Sequence, residues 1–341
     1  MTAPGVPSSY YRGARILVTG GMGFIGSNLT VALARAGARV TVVDAQVPGC
    51  GSNPANLEAV RSQLEVFAND IGDTAAMRPI LAGHEVIFNL AGEISHVNSM
   101  IDPHRDLAIN VASQLRFLDL CRSLVPEATI VYASSRQVYG RPLYLPADEE
   151  HPVNPADYNG VHKHATEQYH FLLRRQFRMR TICLRLGNAY GPRQAIDQDC
   201  RGFIDSFMRT VLDGGQIVVY GDGRQVRGMT YVDDVVDAFL RLGLAGPDCA
   251  AVYNAGHPQP VSLLEIARTL SEIAGAPPPR LAPFPPDRLA IDIGDFYQNT
   301  ERIRRDFGWV PRVDLREGLE QTVEFFRAQR RASHADPHPV S

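Results

Sequence analysis

Arg15-Ile16-Leu17-Val18-Thr19-Gly20-Gly21-Met22-Gly23-Phe24-Ile25-Gly26 decides how this chain is read. The apolar run Arg15–Thr19 predicts a buried strand, the glycines a tight turn, and the pattern from Phe24 to Ala36 a helix closed by Gly37. Strand, glycine turn and helix in that order make a phosphate cradle. Gly20 permits the turn, Gly23 lets backbone N–H groups approach a pyrophosphate, and Gly26 lets helix and strand pack closely. The helix N-terminus, with Phe24 and Ile25, adds partial positive charge. A second β-branched run, Arg39–Val43, ends at Asp44, whose carboxylate can accept both hydroxyls of a ribose. Ala45, Gln46 and Val47 bring no arginine for a 2′-phosphate, so the pattern favours NAD over NADP.

Working outward, the same alternation continues. Strands are expected at 64–68, 85–90, 129–134 and 181–186, and helices around 105–124 and 159–177. Strands alternating with helices imply an α/β fold: a parallel sheet covered on both faces, with right-handed crossovers. Beyond Gly187 glycine and proline become denser, and the Pro-rich segment 277–286 reads as a loop over the surface or a cleft. The chain has 341 residues, 45% hydrophobic and 21% charged, with a net charge of -3. That balance suits a globular protein of two lobes and gives no electrostatic case for nucleic acid or an anionic membrane. No apolar run reaches the roughly 18 residues a bilayer span needs, and the first residues lack the apolar stretch of a signal peptide. Cys50, Cys121, Cys183, Cys200 and Cys249 are scattered and form no Cys-x-x-Cys. Reduced thiols in a cytoplasm are expected, rather than a disulfide framework or a metal site.

Further motifs stand in order along the chain. They are Asn69-Asp70-Ile71, Asn89-Leu90-Ala91-Gly92, Tyr132-Ala133-Ser134-Ser135-Arg136-Gln137-Val138-Tyr139-Gly140, Arg185-Leu186-Gly187-Asn188-Ala189-Tyr190-Gly191-Pro192, Val232-Asp233-Asp234 and Gly308-Trp309-Val310-Pro311. With the glycine loop, they make the chain resemble the extended short-chain dehydrogenase/reductase family, in its nucleoside-diphosphate-sugar (NDP-sugar) epimerase/dehydratase branch. The resemblance implies a Rossmann-type doubly wound parallel sheet over 12–190 and a smaller C-terminal α/β substrate-binding lobe over 191–328. Segments around 229–256 would return to the sheet, and 1–11 and 329–341 read as flexible termini. It further implies bound NAD, a UDP-, dTDP-, GDP- or CDP-linked sugar, a homodimer built on paired helices, and epimerisation through a transient keto sugar. By position, Asp70 and Ile71 would flank the adenine, and Leu90, Ala91 and Gly92 would line the path to the nicotinamide. Asn110 matches the family's helix asparagine. Ser135 stands at the catalytic serine/threonine position. Lys163 stands at the catalytic lysine position, where it would hold the nicotinamide ribose. Asn188 and Arg227 would hold the diphosphate, with Arg288 as a second basic contact.

The pattern breaks at the family's general base, a tyrosine four residues before the lysine. Here Asn159 occupies that place, in Asp157-Tyr158-Asn159-Gly160-Val161-His162-Lys163. Residues four apart share a helix face, whereas residues five apart are turned by about 140°. Tyr158 therefore meets Lys163 only if it precedes the helix and the chain bends it inward. Asparagine cannot take up a proton in place of a tyrosinate. His96, His162 and His164 are the alternatives, since imidazole exchanges protons near neutral pH. His96 follows the fourth strand, at the strand ends that face the ligand in this topology. The family's dehydratases carry acidic residues in the two positions after the serine/threonine. Arg136 and Gln137 stand there, which argues against dehydration of the usual kind. Gln137 could bond a sugar hydroxyl and Arg136 an anionic group, or Arg136 could point to solvent. Two readings stand: an NDP-sugar epimerase, with oxidoreductase or atypical dehydratase chemistry as variants, and a binder of NAD and NDP-sugar without turnover.

Overall fold

Strand β1 (Arg15–Thr19) is buried along four of its five residues, and β2 (Arg39–Val43) repeats the pattern. Such unbroken apolar strands need cover on both faces, which helices on each side of a parallel sheet supply. The computed structural model describes residues 8–197, 202–285 and 292–335. Arg288 and Cys200 lie outside the described residues. Strands β3 (Leu64–Phe67), β4 (Val86–Asn89), β5 (Thr129–Ser135) and β6 (Arg180–Leu186) extend the sheet. The later strands are β7 (Asn188–Tyr190), β8 (Val218–Tyr220), β9 (Val226–Arg227), β10 (Met229–Tyr231), β11 (Val252–Ala255), β12 (Val261–Ser262) and β13 (Arg280–Ala282). Of these, β11 completes a seven-stranded sheet in the order β11-β6-β5-β4-β1-β2-β3. Every neighbouring pair in it is parallel. The order reverses between β1 and β4, and the carboxyl ends of the strands there form the crevice in which this Rossmann-type fold holds ligands.

The first half carries α1 (Phe24–Arg35), α2 (Thr74–Leu81), α3 (His96–Ile101), α4 (Pro103–Leu107), α5 (Gln114–Leu124) and α6 (Tyr158–Phe177). The helix expected over 105–124 is not regular: a π-helical turn, Ala108–Ser113, joins α4 to α5. The reason lies on α6. The Thr166 hydroxyl donates to the Asn110 carbonyl at 2.5 Å, drawing it out of the α-helical ladder. Turns of this kind frequently sit at functional sites.

The second half carries α7 (Phe203–Leu212), α8 (Val232–Gly243), α9 (Leu263–Ala274), α10 (Glu301–Phe307) and α11 (Leu315–Ala335). Ile204, Phe207, Met208, Leu263, Ile266, Leu319 and Phe326 give this lobe a core of its own. By contrast, α8 lays Val235, Val236, Phe239 and Leu242 into the core over the large sheet. Tyr11, in the turn Ser8–Tyr11, is 2% exposed and donates to the Leu240 carbonyl at 2.6 Å. Near the other end, Arg330 on α11 bonds the Leu212 carbonyl at 2.7 Å and Asp213 at 2.8 Å.

Candidate active site

The phosphate loop is built around glycine. Gly20 adopts φ +67°, a left-handed conformation that glycine enters without strain. A methyl group on it would come within 2.8 Å of the Leu90 carbonyl and the Ala91 nitrogen. A methyl group on Gly26 would press into the Gly20 carbonyl. Gly23 is the N-cap of α1 and offers no side chain to its first N–H groups, which are left for an anion. Phe24 and Ile25 follow and pack against the core of the second lobe. Asp44 accepts from the N–H groups of Met22 and Gln46, each at 3.0 Å and each on a separate oxygen. Each oxygen keeps a lone pair for a ribose hydroxyl. Asp70 accepts from the Gly72 N–H at 2.7 Å and the Ser113 hydroxyl at 3.3 Å. Gly20, Gly23, Asp44, Asp70, Ile71, Leu90, Ala91 and Gly92 line one cleft. A relay fixes its floor: Thr19 donates to Asn89 at 2.8 Å, Asn89 to Gln114 at 2.7 Å, and Gln114 to the Ala91 carbonyl at 2.7 Å.

At the far end stands Lys163, 3% exposed. Among the described residues nothing hydrogen-bonds its ammonium, which lies 5.4 Å from the centre of the Tyr132 ring. A methyl group on Gly92 would sit 2.7 Å from both Lys163 Nζ and Asn110 Oδ1, and that Asn110 oxygen is buried without a partner. Burial pushes the Lys163 ammonium down to about 8, against the opposing charges of Asp106 and Glu93. A cradle that a Cβ would fill, a carboxylate at the end of β2 with lone pairs to spare, and a buried amine with an orphaned amide oxygen beside it fit NAD.

Asn159 is fully buried and donates to the Glu93 carbonyl at 2.9 Å and to Asp106 at 2.8 Å. Asp106 also accepts from Asn110 at 3.0 Å and bonds His162 Nδ1 at 2.7 Å. Asn159 is thus part of an amide–carboxylate cluster, though its own Oδ1 is buried without a partner. Tyr158 does not join it. It is the first residue of α6 and 45% exposed, and its ring is 6.3 Å from that of His162. Asp157 caps α6 by accepting from the Gly160 N–H at 2.7 Å, and it also bonds His96 Nδ1. Burial would raise the Asp157 carboxyl, but His96 and the Gly160 N–H hold it below its ordinary value. His164 is turned to Glu167, at 3.3 Å. Asp106, Asp157 and Glu93 are the site residues that sequence reasoning missed. Asp106 lies four residues before Asn110, a helix-face spacing that could have found it.

Ser135 ends β5 and donates to the Gln137 side chain at 3.0 Å while accepting the Gln137 N–H at 3.2 Å. Gly160 lets α6 start against this turn, since a methyl group there would come within 2.8 Å of the Gln137 carbonyl. Arg136 lies over the Phe296 ring, 5.3 Å from its centre. Arg227, 6% exposed, donates to the carbonyls of Val226 at 2.8 Å and Gly294 at 2.6 Å. Asn188 has a buried Oδ1 without a partner.

With this geometry in view, the profile of the NAD dependent epimerase/dehydratase family matches residues 16–256. The chain is 35% identical to a UDP-glucose 4-epimerase of Mycolicibacterium smegmatis, over 92% of this chain and 98% of that one. It is 30% identical to UDP-glucuronic acid decarboxylase 1 of Xenopus tropicalis, over 92% of this chain and 72% of that one. Among solved structures, the UDP-glucose 4-epimerase of Thermotoga maritima with UDP-glucose superposes with a TM-score of 0.84 at 30% identity, covering 93% of this chain and 99% of that one.

Proposed function

The chain belongs to the NAD-dependent epimerase/dehydratase family, and from that premise we propose that it epimerises an NDP-sugar through a transient keto sugar. Three observations support this reading: the glycine-floored cleft, Ser135 at the carboxyl end of the inner strand β5, and the buried Lys163 beside Gly92 of that cleft. Bound NAD supplies a reversible two-electron acceptor. Asp44 holds the adenosine ribose, and Asp70 and Ile71 border the adenine. Lys163 holds the nicotinamide ribose and supplies positive charge. Ser135, its hydroxyl turned away from Gln137 when substrate is bound, donates a hydrogen bond to the reacting sugar oxygen. Arg227 and Asn188 hold the diphosphate, and Arg288 would add to them.

Asn159 holds the site's shape and carries no proton in the reaction. We assign proton transfer to His96, oriented by Asp157. An imidazole held by a carboxylate through one nitrogen can accept a proton at the other. UDP is the favoured nucleotide, because the relatives named above act on or hold UDP-sugars.

Incubation with UDP-, dTDP-, GDP- and CDP-sugars, followed by NMR of the products, tests this. An epimer is expected, with a rise in the NADH absorbance band when one half-reaction is trapped. Tight binding of several sugars with no spectral change and no product would instead establish the non-catalytic reading, to which the asparagine at 159 in place of a proton acceptor lends support.

The assembly proposed is a homodimer in the cytoplasm. Leu115 on α5 and Val161 and Leu172 on α6 are 46%, 47% and 44% exposed, while Phe117 and Leu118 face the core. Light scattering at twice the chain mass is the expected result. Cys50, Cys121, Cys183 and Cys249 are free thiols, which suits a reducing compartment.

A further inference from the structure

Arg136 is half-buried, and among the described residues no carboxylate forms an ion pair with it. It follows Ser135 directly, as the first residue of the turn Arg136–Tyr139. Its Nη1 is buried and has no hydrogen-bond partner. The Phe296 ring beneath it attracts a cation but accepts no N–H bond of ordinary strength. The carboxylates whose charge reaches it, Asp157 and Asp292, are engaged elsewhere. Asp157 bonds His96 and caps α6. Asp292 accepts from the Gln225 amide at 2.9 Å on each oxygen and flanks Arg227 at 3.8 Å. Burial first, and then the like charge of Arg227, push the Arg136 guanidinium down to about 9. Guanidinium nevertheless stays protonated in proteins, so a partly desolvated charge with one unsatisfied nitrogen stands next to Ser135, where an incoming anion would pair with it.

Resting on the sugar-nucleotide reading, we propose that Arg136 is a specificity residue for a sugar bearing a carboxylate, so that the substrate is an NDP-linked sugar acid. Arg227 reaches the site from β9 in the second lobe, whereas Arg136 comes from the turn that presents Ser135. Two cations on two elements match two anions, the diphosphate and a group on the sugar ring. A planar carboxylate matches the guanidinium fork with paired hydrogen bonds.

Calorimetry on the full chain loaded with NAD separates the possibilities. The titrants are UDP-glucuronate, UDP-galacturonate, UDP-glucose and UDP alone. The sugar acids are expected to bind at least about tenfold more tightly than UDP-glucose, as a charge-assisted pair allows. Arg136→Met should abolish that margin while shifting the affinity for UDP by no more than about twofold. Arg136→Lys should restore part of it, and melting curves should show all three proteins folded. UDP-glucose binding as tightly as the acids would overturn the proposal. So would an Arg136→Met loss that is equal for UDP and UDP-glucuronate, which would put Arg136 in the diphosphate cradle. If neither UDP nor any NDP-sugar binds, the sugar-nucleotide reading itself fails, a distinct result.

Discussion

Lys163 keeps its ammonium where water hardly reaches, and the chemistry proposed needs it charged. An exposed lysine holds its proton to about 10. Burial brings this one to about 8, with Asp106 and Glu93 acting the other way. A lowered pKa means the charge is lost sooner as pH rises. The rate should therefore fall through about pH 8, and a kcat/KM profile would show that alkaline limb. Lys163→Ala should lower turnover by about a hundredfold or more; an unaltered rate would remove Lys163 from the site. Asn159→Tyr is a second test. Both amide hydrogens are committed, to the Glu93 carbonyl and to Asp106, and a ring would have to displace that cluster. We expect no gain in epimerase activity and a loss of about 1–3 kcal/mol of stability, read from denaturation curves. The substitution at 159 is legible in the sequence because it breaks a fixed spacing. Its partners are not, since Asp106 is 53 residues away and only the fold brings it near.

Among the elements, the turn after β4 passes close to the buried amine. Gly92→Ala would place a methyl group 2.7 Å from both Lys163 Nζ and Asn110 Oδ1. NAD affinity should fall by about tenfold or more while the melting temperature changes little; titration of NAD by fluorescence checks this. An unchanged affinity would show that the lysine can shift without loss. The strands of the first half are legible because parallel burial makes each an unbroken apolar run. The glycine loop is legible because turn chemistry is local. The π turn at Ala108–Ser113 is not: its cause, the Thr166 hydroxyl, sits on another helix. The apolar pattern across 105–124 continues through it as if nothing had changed.

At the scale of the whole molecule, the C-terminal third clasps the sheet through α8. Trp309 is fully buried and donates to the Asp234 carbonyl at 2.9 Å. The Asp234 carboxylate accepts from the N–H groups of Arg312 at 3.0 Å and Val313 at 3.1 Å. Trp309→Ala should cost about 3–5 kcal/mol and lower the melting temperature; a loss below about 1 kcal/mol would mean that the clasp is not shared with the core. The motif around Trp309 is legible in sequence, but its role as a fastening needs α8 in place. The helix that opens the phosphate loop has a second engagement. Phe24 and Ile25 pack into the second lobe, and Asn28 bonds the Pro192 carbonyl at 3.0 Å and Arg193 at 2.7 Å. Under the function proposed above, one helix serves both binding events, and any coupling it carries between them is reciprocal. Whatever factor the dinucleotide lends to the affinity for the sugar nucleotide, the sugar nucleotide must return in equal measure.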